Sequence, residues 1–221
     1  MRLGNTTASW GLVSRLIHWT MAGIIFFLIG VGFYMSNVLP TGLEQFAYIQ
    51  IHKSWGFVVF VLAVLRVAWR WMSPRTPAMP KATMSRFEIF AAKTAHILLY
   101  VLIFALPLTG WLMSTSSPLN DANAYPFPVQ NLVFGAFDMP DPYPTGDQTL
   151  SDIFHTAHIA CAVVLCLVLL AHIAGALKHA VLKRDGVLAR MTFGRFEPAE
   201  VADHAARDAK VGSQKRAHPG E

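Results

Sequence analysis

The chain has 221 residues, 54% of them hydrophobic and only 14% charged, with a mean hydropathy of +0.42. Soluble domains carry about 25% charged residues, so this composition excludes an ordinary soluble protein and points into a membrane. The net charge of +5 is assigned to the loops on one side of a bilayer, and nucleic acid is excluded as a partner.

Residues 1–14 are short and polar. The first apolar segment runs from about 16 to 35. It is too long for a signal-peptide core, and SNVLPTGLEQ follows it with no small-residue cleavage site, so it reads as a retained span. His18 lies one turn inside its start, beside Trp19, and Gly23, Gly30 and Gly32 let something bulky approach the backbone. A short connection, 36–50, has Pro40 and Gly42 as breakers and Glu44 as its only charge.

The second span is about 51–72, with His52 at its first turn. It ends in RVAWRWMSPR, an interfacial anchor of arginines and tryptophans. A basic, proline-broken connection carries Arg75, Lys81 and Arg86, then Lys93. The third span, about 94–114, has His96 near its start and Pro107, which is expected to kink it. The longest connection, 115–151, holds Pro118, Pro126, Pro128, Pro140, Pro142 and Pro144, and four aspartates (Asp121, Asp138, Asp141 and Asp147) with no lysine or arginine. Its middle, FPVQNLVFGAF, is expected to lie on the membrane surface as a cap.

The fourth span, about 153–177, is followed by Lys178, Lys183, Arg184 and Arg190. Cys161 and Cys166 lie within it and read as small packing residues. Residues 1–193 then form one four-span domain, and 194–221 a polar, disordered or loosely helical tail. The basic residues sit at the N-terminus, in the second connection and after the fourth span, which places both termini in the cytoplasm. The expected fold is all-α, an integral membrane four-helix bundle.

His158 and His172 are fourteen residues apart in the last span. That spacing returns to within about 40° of one direction and rises roughly 21 Å. One face thus presents two imidazoles at two depths, too far apart for one metal ion but suited to two stacked haems. By depth, His52 and His158 share the outer layer, and His18, His172 and His96 the inner one. Ionisable residues inside a span are costly and mark function. Bis-histidine ligation of iron satisfies the imidazoles, and a bundle core buries the macrocycle.

Arg66 follows His52 by fourteen residues and shares its face at the inner depth. It, or Arg70, is a candidate partner for inner haem propionates, the alternative being snorkelling to the headgroups. Lys53 is the corresponding candidate for the outer haem. His155 reads as a solvated interfacial residue and His179 as a headgroup residue, while His204 and His218 in the tail receive no role.

The segments SRLIHW, QIHKSWG with RVAWR, AAKTAHILLY with ALPLTGWLMS, and HIACAVVLCLVLLAH followed by LKHAVLKRDGVLARM together resemble the bacterial cytochrome b561 family over about residues 8–193. More broadly the chain is similar to the di-haem cytochrome b subunits of nickel hydrogenases and membrane formate dehydrogenases. The resemblance implies a bacterial inner-membrane protein with two haem b groups, one held by His52 with His158 and the other by His18 with His172. His96 matches a recurrent family histidine that is not an axial ligand.

The implied function is electron transfer between the quinone pool and a periplasmic or membrane partner, with a quinone site expected beside the inner haem, near His96 and Pro107. Two alternatives stand beside it: a superoxide:ubiquinone oxidoreductase, and a haem-carrying anchor subunit of a dehydrogenase. Against superoxide, Glu44, Asp121, Asp138, Asp141, Asp147 and Asp152 face Lys53 alone on the outer side, a field that repels an anion. A non-haem di-metal enzyme needs closely clustered histidines, and only His155 and His158 are close. A proton-coupled transporter is disfavoured because no acidic residue lies inside a span.

Overall fold

The computed structural model describes residues 3–7, 9–73, 77, 84–120, 131–143 and 145–192. Four helices dominate it: α1 (Leu12–Asn37), α2 (Leu43–Met72), α3 (Arg86–Thr115) and α4 (Gln148–Lys178). All four are long and apolar enough to cross a membrane. Arg75, Lys81, Asp121, Pro126, Pro128, Pro144, His204, His218 and the tail from 194 lie outside the described residues.

The helices run past the apolar windows that mark them, because a helix continues beyond the hydrocarbon wherever its termini find partners. Pro40 and Gly42 do break the chain, but α2 starts at Leu43, not near 51. His52 therefore sits in the third turn of its helix, not the first. α3 begins eight residues before the apolar run at 94. There the Ser85 hydroxyl accepts from the Glu88 N–H, and the Glu88 carboxylate accepts from the Ser85 N–H. This capping box satisfies two orphan donors. Asp147 caps α4 by accepting from the Leu150 N–H. α3 passes through Pro107 as one continuous helix.

Two kinds of packing hold the bundle. Met21, Val59, Ala63 and Ile103 form a buried apolar cluster, flanked by Ile24, Leu62 and Phe104 among others. It joins α1, α2 and α3 near mid-height, where close packing rather than water exclusion holds helices together in lipid. α4 contributes no residue to it. Instead α4 packs along α3 and meets α1 and α2 only sparsely. Both cysteines of α4 are free.

The two ends are closed differently. At the near end, where α1 begins and α4 finishes, Asn5 bridges Ser73 to Gly11 and Ser14, and the Trp69 indole donates to Ser14. Residues 184–192 fold beneath the helices, held by Arg15 donating to the Thr192 carbonyl and Trp19 to that of Met191. Lys178 and Lys183 both pair with Glu88, at 2.9 and 2.7 Å, tying α4 to the start of α3.

At the far end the long connection contains a two-stranded antiparallel hairpin, β1 (Leu132–Val133) and β2 (Phe137–Asp138). Phe134 and Gly135 at its turn have φ of 50° and 69°. Two successive positive values match the twist of a tight hairpin. The hairpin is not legible in the sequence because a glycine follows the phenylalanine without the usual Asn or Asp signal.

Candidate functional site

The histidines of the spans meet in two groups. His52 of α2 faces His158 of α4 with ring centroids 6.2 Å apart. His18 of α1 faces His172 of α4 at 6.4 Å, and the His96 ring of α3 stands 5.2 Å from that of His172, edge to face. The fourteen-residue spacing on α4 thus places one of its imidazoles opposite α2 and the other opposite α1.

These separations have a chemical meaning. A ligating nitrogen lies about 2.0 Å from its metal and the ring centroid roughly 1.1 Å beyond, so two imidazoles that share one iron would stand about 6.2 Å apart. Both facing pairs have this spacing. Direct hydrogen bonding between the rings would bring them closer, and each facing pair spans the sparse contact between α4 and its neighbours.

The surroundings support the rings unequally. The Nδ1 atoms of His18 and His52 are buried without a hydrogen-bond partner among the described residues. The His158 Nδ1–H donates to the Leu106 carbonyl at 3.1 Å, with the Thr109 hydroxyl also at 3.1 Å. That bond leaves the Nε2 lone pair free to ligate. Two glycines make room at this level. A Cβ on Gly32 would lie 3.3 Å from the His52 Cε1, and one on Gly110 would lie 3.2 Å from that of His158. The sequence singled out Gly32 for close approach, and what approaches is the His52 ring. Gly23 and Gly30 have open space.

Arg66 turns inward. Its Nε donates to the Tyr100 hydroxyl at 3.3 Å, with the guanidinium 5.3 Å from the centre of that ring. It lies near His18 and His172. Lys53 donates to the Asn131 side-chain oxygen, which also accepts from Ser114. Asn131 joins α2, α3 and the hairpin, and nothing in the sequence marked it.

His155 is exposed, as expected. The reading of His179 as a headgroup residue is corrected. It is only 7% exposed, and its Nδ1 lies 2.6 Å from the Asp185 carboxylate. A π-helical turn, His179–Lys183, ended by left-handed Arg184, brings the chain back so that Asp185 reaches it. Hydropathy carries no information about such a return.

A family model described as prokaryotic cytochrome b561 matches residues 9–194. The chain is also 32% identical over 197 residues to cytochrome b561 homolog 2 of Escherichia coli (strain K12), covering 86% of this chain and 95% of that protein. The chain belongs to the prokaryotic cytochrome b561 family. It is a multi-pass membrane protein and a b-type cytochrome whose activity is transmembrane electron transfer on haem b. The four-helix, all-α membrane architecture is the one that the sequence predicts. The facing histidines fit that cofactor: imidazole pairs 6.2 and 6.4 Å apart, within apolar helices.

Proposed function

We propose that this member of the cytochrome b561 family holds two haem b groups at two depths and passes single electrons between the quinone pool and a periplasmic or membrane partner. The carrying observation is the equal spacing of the two histidine pairs, 6.2 and 6.4 Å, at opposite ends of one face of α4. His52 and His158 ligate the far group, and His18 and His172 the near one. Haem b, when bound, supplies a one-electron ferrous–ferric couple.

The chain's own residues orient and tune that couple. The Leu106 carbonyl and Thr109 fix the His158 tautomer. Gly32 and Gly110 set how close the far rings come to α1 and α3. Arg66 supplies positive charge at the near pair, where propionates are anionic, and Lys53 does so at the far pair from its bond to Asn131. The positive-inside pattern of lysines and arginines supports a bacterial inner-membrane protein with the near end cytoplasmic.

Quinone docks beside the near pair, at His96. Its Nδ1–H is donated to the Ala92 carbonyl at 2.7 Å, which leaves Nε2 as an acceptor on an exposed ring. That ring touches the side of His172, giving a short route inward. The deciding experiment is a reduced-minus-oxidised spectrum with a pyridine haemochrome count. Two b-type haems per chain support the reading. One haem means that one pair is misassigned, and none defeats it.

A further inference from the structure

We infer that the β1–β2 hairpin of the long connection inserts into the far leaflet of the bilayer and is solvated there by lipid chains. It does not lie on the surface above the helices. The Phe134 N–H donates to the Ser54 hydroxyl at 2.9 Å. Phe134 packs edge-on against Trp55, and Phe137 against Phe57, with ring centroids 5.6 and 5.9 Å apart. These partners follow His52 along α2 toward the middle of the helix, so the turn of the hairpin reaches the depth of the far histidine pair.

The depth can be measured along α2. Its near-end anchor is Trp69, Arg70 and Trp71. A hydrocarbon layer of about 30 Å, climbed at about 1.5 Å per residue from Arg70, ends about 20 residues up, near Gln50. Ser54 and Phe57 lie four to seven residues below that boundary, or roughly 6–10 Å. Interfacial elements bury their apolar faces about 5–10 Å into the headgroup and acyl boundary.

The chemistry of the hairpin suits that depth. Residues 131–137 carry no charge, and the first carboxylate, Asp138, stands in the outermost strand pair with Leu132. Backbone at this depth must find protein partners, since lipid offers none. Besides the Phe134 bond, the Ala136 N–H donates to the Val133 carbonyl and the Met139 N–H to that of Asn131. Val133 is buried, yet Phe134 and Phe137 are 56% and 51% exposed. Their exposed faces continue the apolar surface of the spans, since Phe27 of α1 packs on Trp55 at 6.0 Å, and Trp55 packs on Phe134. That continuity makes lipid the occupant.

The test is carbene footprinting of the unmodified holoprotein in nanodiscs of phosphatidylethanolamine and phosphatidylglycerol. One diazirine partitions into the membrane and the other stays in water. Phe134 and Phe137 are expected to react with the membrane reagent as strongly as Leu170, which is 67% exposed on α4. Asp141 and Tyr143 should react with the aqueous one. Labelling of the hairpin by the aqueous reagent alone would place it above the membrane and overturn the inference. Resistance to both, while Leu170 reacts, would also overturn it by showing that protein covers the hairpin. Neither result depends on the haem assignment.

Discussion

The two histidine pairs are alike in spacing and unlike in support. The far pair, His52 with His158, is confined by backbone: glycines lie against both rings, and a carbonyl bond and a hydroxyl hold one of them. A buried polar layer that includes Ser54, Asn131 and Ser151 lies close to it. The near pair, His18 with His172, has functional groups as its neighbours: His96, Arg66 and, through Arg66, Tyr100. One pair is shaped by sterics and the other by charge and exchangeable hydrogen bonds. Under the proposed function, the difference suits a far site that fixes its group rigidly and a near site that exchanges electrons and protons with a mobile carrier.

The strongest way to break this comparison is to delete one ligand. If two histidine pairs each hold one haem, as proposed, His172→Ala is expected to remove the near haem and leave about half of the reduced b-type absorbance. Full occupancy in that variant, read by pyridine haemochrome, defeats the assignment. Gly110→Val is next in size. Its Cβ starts 3.2 Å from the His158 ring, and its methyl groups need more room still. Far haem should be lost while near haem remains. Gly30→Ala, at a position with open space, should retain both, and equal losses in the two variants would show that glycine sterics do not separate the sites.

Redox titration sharpens the electrostatic half. Arg66→Gln removes a positive charge that favours the ferrous state, so the near midpoint potential should fall and the far one stay. If both move equally, Arg66 is not specific to the near pair. Thr109→Val is the smaller, opposite control. Losing one hydrogen bond costs about 1 kcal/mol, on the order of 40 mV for one electron, and the shift belongs to the far haem. The smallest effect is expected from Glu88→Gln. It breaks the ties to Lys178 and Lys183 but should leave both spectra and both potentials unchanged, because these pairs join helix ends and touch neither histidine pair.

Much of the site was legible because helices repeat locally. His158 and His172 share a face by periodicity alone, and Arg66 falls below His52 by the same count. Gly32 stood out because a glycine in a span invites close approach, although the approaching group was not readable. The Ser85–Glu88 capping box was also written in the chain, beginning nine residues before the apolar run that hydropathy detects, so the start of α3 was recoverable from a signal of another kind. Asn131 was not readable. Its importance comes from lying between Lys53 and Ser114, residues 78 and 17 positions away. His179 was misread for a local reason: its partner Asp185, six residues on, follows a left-handed turn that no hydrophobic pattern encodes.

The sequence by itself determined four apolar helices, their histidines at two depths and the family segments that contain them, because hydropathy and the 3.6-residue repeat are local properties. The tertiary structure alone decided how closely the paired imidazoles face each other, that Gly110 and Leu106 support His158, that Arg66 turns toward Tyr100, and that the β1–β2 hairpin packs beside α2. Each of these depends on the rotation and height of one helix against another, and those are set by contacts between residues far apart in the chain.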